Sequence, residues 1–268
     1  MSVLRLSIFG IDAKTKFETF DLASEVWCAA RESGIEVEDG DVFVVSSKYA
    51  AISEGRTIKL STVKVGNLAK SLSERYQIDP ALAELVVEES DKLLGGVSGF
   101  VLSLVSGTLA PNAGIDRSNV PAGWAVQYPK DPQHTASELR ENLLRFANES
   151  RGVKKIQTLG VVLSDSRVTA TRLGTVGVAV SYAGLKPTID MRGTPDLFGN
   201  NLVVTLRAVA DQLATAAQLV MGESKEGRPI ALIRGFTEAF STTKNEFENR
   251  ATISPEQCLI LSSLKNPF

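Results

Sequence analysis

Short, fully apolar runs bounded by turn residues constrain the fold of this chain more than any other feature. Residues 42–45 follow the turn pair Asp39-Gly40 and carry no polar side chain. A short apolar run after a turn is typical of a buried strand. We therefore expect a buried strand at these residues. Further strands are predicted at residues 3–9, 100–105, 156–163 and 175–182, and from Pro229 onward.

Helical periodicity alternates with these strands. In residues 202–221 apolar side chains recur every three or four positions, which predicts one long helix ending at Gly222. Asp21 is a candidate N-cap for a helix that stops near Gly34, and residues 46–56 are predicted to be a polar loop. Other helices are expected at residues 66–76, 80–94 and 135–148, with a short one after Ser254.

The alternation is not regular enough for a simple repeated β–α–β chain. It predicts an α/β fold with a mixed sheet, and an arrangement in two intertwined lobes stays open. The chain has 268 residues, of which 43% are hydrophobic, so it can bury a large core without disulfides or structural metals.

Composition also bears on partners and location. A net charge of −2 disfavours non-specific nucleic-acid binding. No apolar run approaches the roughly 18–20 residues that span a bilayer, and the first residues lack the pattern of a secretory leader. Two cysteines do not make a disulfide framework. We expect a cytoplasmic protein that binds neither nucleic acid nor membrane.

Oxygen-bearing side chains stand at the edges of the predicted elements. Asp116 lies in an irregular loop, Asp165 and Ser166 follow the strand at 156–163, and Glu223 follows Gly222. Carboxylates and hydroxyls are ligands that Mg²⁺ or Mn²⁺ prefers. Such residues also form turns and helix caps, so the residues by themselves leave both interpretations open.

Two common catalytic motifs are missing from the sequence. It contains no G-x-x-x-x-G-K-[ST] phosphate loop and no G-x-S-x-G elbow. The single histidine, His134, makes a histidine-based triad improbable. Lys48 and Arg172 are among the basic residues that could contact phosphates.

Several short sequence motifs indicate more about the function than composition does. In chain order, the sequence resembles the coenzyme F420:L-glutamate ligase family over about residues 40–235. The motifs are Gly40-Asp41-Val, Glu54-Gly55-Arg56, Asn112-Ala-Gly-Ile-Asp-Arg-Ser-Asn119, Asp131-Pro132, Asp190-Met-Arg-Gly-Thr-Pro-Asp196-Leu-Phe-Gly199, Ala210-Asp211-Gln-Leu-Ala214, Leu219-Val-Met-Gly-Glu223, Pro229 and Arg234-Gly235.

The resemblance implies a ligase-like domain at 1–240, with an extension at 241–268 packed on it. It implies a GTP-dependent enzyme that joins L-glutamate to the carboxylate of coenzyme F420-0 through a γ-glutamyl amide bond and an acyl phosphate. It further implies Mg²⁺ or Mn²⁺, two ions in number, with K⁺ as an additional cation, and an intertwined homodimer.

The resemblance also assigns roles to residues. The metal ligands fall on Asp116, Asp165, Ser166 and Glu223, and Lys48 and Arg172 are candidates for stabilising charge during catalysis. The nucleotide contacts fall on Phe9, Gly10, Ile11, Asp12, Ser47, Lys48, Asn119, Met221, Gly222, Glu223 and Ser224.

One loop departs from the family pattern. Where the family reads F-G-R-P-W-R, this chain has Arg167-Val-Thr-Ala-Thr-Arg172. Ile52 replaces a common lysine, and Gln133 ends what is usually a D-P-D phrase. These changes leave two alternatives: the same chemistry on a folate or dihydropteroate acceptor, or a catalytically silent nucleotide-binding homologue.

Overall fold

The computed structural model of the chain describes residues 5–149, 155–236, 238, 240 and 251–265. These residues form two compact units. The first comprises the described residues of 1–62 and 116–249, and the second those of 63–115 and 250–268. Residues 241–250, where the predicted C-terminal extension begins, lie outside the described residues, so that boundary stays a prediction.

Strands and helices alternate along the described chain. The strands are β1 (Ser7–Ile11), β2 (Asp41–Ser46), β3 (Thr57–Lys59), β4 (Lys92–Val97), β5 (Phe100–Val105), β6 (Thr108–Pro111), β7 (Trp124–Val126), β8 (Leu159–Val168), β9 (Thr175–Ala183), β10 (Thr188–Asp190), β11 (Leu206–Ala208) and β12 (Ile230–Arg234). The helices are α1 (Leu22–Glu32), α2 (Ser47–Ser53), α3 (Asn67–Tyr76), α4 (Pro80–Glu89), α5 (Pro132–Glu149), α6 (Val209–Met221) and α7 (Leu259–Lys265).

A five-stranded mixed sheet, ordered β1-β12-β2-β8-β9, is the centre of the first unit. Strands β2 and β8 run parallel, and the other neighbours are antiparallel. Phe43 and Val45 face a core that includes α1 and α5, whereas Val42 and Val44 face α6. The buried strand predicted at 42–45 is therefore present, and its unbroken apolar run is explained by the burial of both faces of β2. The expected α/β fold with a mixed sheet is confirmed.

Smaller sheets complete the two units. In the first unit, β3 pairs with β7 and β10 pairs with β11. The second unit contains the three-stranded sheet β4-β5-β6 together with α3, α4 and α7. Within the described part of the chain, no helix is both long enough and apolar enough to cross a membrane.

The predicted polar loop at 46–56 is wrong. Residues Ser47–Ser53 form α2, and its Ala50 and Ala51 are fully buried. The prediction relied on the polar residues at both ends of this segment. Its short apolar centre, Tyr49-Ala-Ala-Ile52, packs into the core. Gly55, at φ +74°, follows the helix in a conformation that favours glycine.

Three of the predicted element boundaries that are wrong share one cause, which is that strand pairing overrides local periodicity. Strand β8 continues to Val168, since β9 pairs with it beyond residue 163. Helix α4 ends at Glu89, because residues 92–97 pair with β5. Helix α6 begins at Val209, because Leu206–Ala208 pair with β10.

Candidate active site

The parallel pair β2 and β8 positions the candidate site. Ser46 at the end of β2 lies beside Ser164 of β8, so both strands lead into the same edge of the sheet. Polar side chains at the carboxyl ends of parallel strands commonly form ligand sites. Here β2 leads into Lys48 on α2, and β8 continues through Asp165 and Ser166.

Lys48 and Asp116 form an ion pair. Lys48 Nζ lies 2.8 Å from Asp116 Oδ2 and donates to Ser118 Oγ at 3.0 Å. The Ser118 backbone N–H donates to Asp116 Oδ1 at 2.7 Å. Burial alone would raise the pKa of Asp116, but Lys48 and Ser118 outweigh it, so this pKa is lowered. Asp116 is thus held as a carboxylate.

Asp165 is paired with an arginine that lies two residues further along β8. Arg167 Nε donates to Asp165 Oδ2 at 2.7 Å, and Arg167 Nη2 donates to the hydroxyl of Tyr128 at 2.5 Å. Burial raises the pKa of Asp165, Arg167 offsets part of this shift, and the negative charge of Asp116 adds to it. The two carboxylates Asp116 and Asp165 therefore lie close enough to interact electrostatically.

Ser166 projects from the opposite face of β8, as expected for its neighbouring position on a strand. Its Oγ lies 2.9 Å from Glu223 Oε1 and 3.0 Å from Glu223 Oε2, and it accepts from Gln218 Nε2 at 3.0 Å. Helix α6 ends at Met221, and the φ of +78° at the following Gly222 turns the chain toward Glu223. Ser166 and Glu223 are thus joined across 57 residues of sequence.

The two predicted nucleotide segments lie together. Gly10 packs so closely against the end of α6 that a Cβ there would lie 2.9 Å from the carbonyl oxygen of Val220. Asp12 Oδ1 accepts from Arg228 Nε at 3.2 Å. Asn119 Nδ2 donates to the carbonyl oxygen of Ser224 at 2.7 Å, so the loop after Asp116 contacts the loop after α6.

The remaining predicted site residues differ in their exposure. Ile11 is fully buried in the core and Ser47 is 3% exposed, whereas Phe9 lies at the surface with Arg234 over its ring. Met221 is the last residue of α6. Arg172 lies in the exposed turn between β8 and β9, and its side chain forms no ion pair within the described residues.

Among the residues that the structure describes, no three histidine, cysteine, aspartate or glutamate side chains form a group that could hold a metal ion. The predicted ligands instead divide into two pairs on opposite faces of β8. Asp116 and Asp165 form one pair, and Ser166 and Glu223 form the other.

Comparison with protein families shows which family the chain belongs to. The sequence model of the F420-0:Gamma-glutamyl ligase family matches residues 11–235, which is most of the chain. The chain belongs to this family. The family suggested by the short sequence motifs is therefore confirmed, and so is membership of a family of ligases.

Curated relatives agree with the family assignment. The chain is 39% identical to the coenzyme F420:L-glutamate ligase of Methanothermobacter thermautotrophicus, over 81% of this chain and 83% of that protein. It is 35% identical to the enzyme of the same name from Methanopyrus kandleri, over 81% and 84% of the two chains. The corresponding protein of Archaeoglobus fulgidus is 31% identical over 88% and 90%.

Sequence reasoning missed several residues of this site. Arg167 contacts both Asp165 and Tyr128, and Gln218 contacts Ser166. The spacing of Arg167 and Asp165 could have indicated their contact, because residues two apart on a strand share a face. This inference requires knowing that β8 extends to Val168. Tyr128 carried no signal of its own, because its contact joins residues 39 apart in sequence.

Proposed function

We propose that this chain forms a γ-glutamyl amide bond between L-glutamate and the carboxylate of coenzyme F420-0, with GTP as the energy source. The observation that carries the proposal is the family match over residues 11–235. The names of the relatives, coenzyme F420:L-glutamate ligase, give the substrates. Three contacts within the matched span support a site at this edge of the sheet: Lys48 with Asp116, Asn119 with Ser224, and Ser166 with Glu223.

The donor atoms fit a divalent cation of the Mg²⁺ or Mn²⁺ type. Asp116, Asp165 and Glu223 offer carboxylate oxygens, and Ser166 offers a hydroxyl, which is the hard oxygen set these ions prefer. Asp116 and Asp165 also interact as like charges, which a cation between them would relieve. These four residues would hold the cations, two in number, and K⁺ is part of the proposal. A bound divalent cation supplies positive charge that neutralises the nucleotide phosphates.

The proposed reaction has two steps. A carboxylate is a poor electrophile, so the acceptor carboxylate first takes the γ-phosphoryl group of GTP, which forms an acyl phosphate and releases GDP. The amine of glutamate then attacks the acyl carbon, and the C–O bond to phosphate breaks. The products are the amide, inorganic phosphate and the proton lost by the amine.

The chain's own residues would bind and orient the reactants. Lys48 is held beside Asp116 and Ser118, so its ammonium group can contact a phosphate with a small movement of the side chain. The segment Phe9–Asp12 and the loop at 221–224 would contact the nucleotide. Arg172 is proposed to stabilise developing negative charge when substrate is present.

A ligation assay tests the proposal. Purified protein is incubated with GTP, Mn²⁺ or Mg²⁺ and L-glutamate, and mass spectrometry follows the F420-0 acceptor. A mass gain of one glutamyl residue supports the proposal. If the gain appears only on dihydropteroate or folate in a parallel reaction, the acceptor assignment is wrong. Nucleotide binding without product on any of these acceptors would favour the silent homologue.

Two further predictions belong to this proposal. We propose that the protein acts in the cytoplasm and as a homodimer. The homodimer is supported by an exposed apolar surface, named here the apolar arm, in the segment between β10 and β11 and in β11 itself. Its exposed side chains are Leu197, Phe198, Val203, Val204 and Leu206. A cluster of this kind usually marks a contact with another protein surface.

A further inference from the structure

The Asp116/Asp165 pair carries its own positive charges. Lys48 contacts Asp116 at 2.8 Å and Arg167 contacts Asp165 at 2.7 Å. Two carboxylates and two cationic side chains together have no net charge. A cation site normally presents uncompensated negative charge. The Asp116/Asp165 pair, named here the Asp165 half of the site, therefore presents less negative charge than its two carboxylates alone suggest. The Ser166/Glu223 pair is named the Glu223 half.

Arg167 is held firmly in this position. Its side chain is only 7% exposed, and Nη2 donates to the hydroxyl of Tyr128 while Nε donates to Asp165. Burial is the main cause that raises the pKa of Tyr128, so its hydroxyl stays neutral and can accept this bond. Arg56 in turn donates to the carbonyl oxygen of Tyr128 at 2.8 Å, which fixes the segment that carries the phenol.

We propose that Arg167 is a resident cation of the active site, which neutralises Asp165 and weakens the binding of a divalent cation at the Asp116/Asp165 pair. This inference rests on the proposed function for the role of that pair as a metal site. Arginine keeps its charge at every physiological pH. It therefore competes with a divalent cation permanently and is not switched off by pH.

The acceptor atoms of Asp165 limit what else can bind there. Ser166 N–H donates to Oδ1 at 3.0 Å, and Arg167 occupies Oδ2. A carboxylate has about four lone-pair positions, so a divalent cation can still reach Asp165. It does so against the repulsion of the adjacent guanidinium.

The Ser166/Glu223 pair lacks such a counterion within the part of the chain that the structure describes. Glu223 contacts the hydroxyl of Ser166, and among the described residues it forms no ion pair with a basic side chain. The two halves of the site therefore differ in charge. A divalent cation should prefer the Glu223 half, and the Asp165 half should bind its cation more weakly.

Direct Mn²⁺ binding to the purified full chain, followed by the electron paramagnetic resonance signal of free Mn²⁺, tests this inference without any assay of activity. Arg167→Gln removes the charge and keeps a polar side chain. We expect Mn²⁺ to bind the Asp165 half about tenfold more tightly in this variant. General damage to the structure would weaken Mn²⁺ binding, so a gain cannot be explained by misfolding.

A matched control is available on the chain. Arg192 Nε donates to Asp190, the same arginine-to-aspartate pairing two residues apart, but on an exposed segment outside the site. Arg192→Gln also removes one positive charge and frees one aspartate. It should leave Mn²⁺ binding unchanged.

A second variant covers the case in which Arg167→Gln does not fold, as judged by circular dichroism. Tyr128→Phe removes the hydroxyl that holds Arg167 and keeps the ring. It should tighten Mn²⁺ binding by about two- to threefold, since the guanidinium is then easier to displace.

Unchanged or weaker Mn²⁺ binding in folded Arg167→Gln, or in Tyr128→Phe if the first variant does not fold, would overturn the inference. An equal gain in Arg192→Gln would overturn it too, because the effect would then be one of overall charge. Failure of the proposed function is seen separately, as absence of glutamate transfer by the wild-type chain.

Discussion

The hydroxyl of Ser166 lies 2.9 Å from Glu223 Oε1, although β8 and the end of α6 are far apart in sequence. Gln218, one turn before the end of α6, donates to the same hydroxyl at 3.0 Å. The position of Ser166 thus depends on how closely α6 packs on the sheet.

Glu223→Gln should abolish most of the ligase activity and leave the fold intact. The change removes the only carboxylate of the Ser166/Glu223 pair but preserves its shape and hydrogen-bonding capacity. We expect kcat/KM to fall on the order of 100-fold or more, because in the proposed reaction cation charge stabilises the transferring phosphoryl group. Glu138→Gln on the exposed face of α5 is the control, and it should retain full activity. Near-normal activity of Glu223→Gln at limiting Mg²⁺ would contradict the metal role.

Asp116→Asn should lower thermal stability at neutral pH, and the difference from wild type should shrink in acid. The pKa of Asp116 is lowered in the folded state. Its contribution to stability is therefore complete above the unfolded value of about 3.9 and is lost as the pH falls through the lowered folded pKa. Melting temperatures of both proteins between pH ~7 and pH ~3 measure this difference.

Asp211 provides a control of opposite sign for the Asp116 experiment. Burial raises the pKa of Asp211, which accepts from the backbone N–H of Ala179. The wild-type carboxyl group therefore contributes stability that is present below its unfolded pKa and is lost as the pH rises through the raised folded value. Relative to Asp211→Asn, wild type should gain stability in acid. The same direction of change for both positions would contradict the assigned pKa shifts.

Gly177→Ala should destabilise the protein by about 1–3 kcal/mol and reduce activity. Gly177 pairs with Ser166 across β9 and β8, and a Cβ there would lie 2.4 Å from the carbonyl oxygen of Ala214 on α6. Because that atom is backbone, α6 itself must move, and with it Gln218 and Glu223. Denaturant unfolding and the ligation assay measure the two effects.

Gly160→Ala is the matched comparison for Gly177→Ala. Gly160 is also a buried strand glycine, but the nearest atom to an added Cβ is Cδ2 of Leu185, at 2.8 Å. A side-chain end can move, so we expect a loss of about 1 kcal/mol or less and nearly normal activity. Equal losses of stability and activity in the two variants would contradict the prediction that the close packing of α6 against Gly177 makes this position less tolerant of a side chain.

Phe198→Ser should weaken self-association if the apolar arm contacts a second copy of the chain. Phe198 is 91% exposed, and burial of one such ring contributes on the order of 2 kcal/mol. Light scattering after size-exclusion chromatography should show a lower mass at a given concentration. Leu173→Ser, on the exposed turn between β8 and β9, should leave the mass unchanged. A monomeric wild-type protein would rule out the homodimer directly.

Several elements could be predicted because their signals are local. The N-cap at Asp21 accepts from the backbone N–H of Ser24, as its position before an apolar stripe implied. Strands β2 and β5 follow from apolar runs. The false extension of α6 back to residue 202 has a different origin. Leu202 and Leu206 match helical spacing by coincidence, and pairing of β11 with β10 decides their structure.

The sequence alone determined the mixed α/β class, the buried strand β2 and the family, since periodicity and the order of sequence motifs are properties of the chain itself. Tertiary structure alone decided that Asp165 and Ser166 lie within β8 and face opposite sides, because β9 pairs with β8 past its apolar run. It also decided that Arg167 neutralises Asp165. The charge environment of a carboxylate depends on which distant residues, such as Tyr128, hold its neighbours in place.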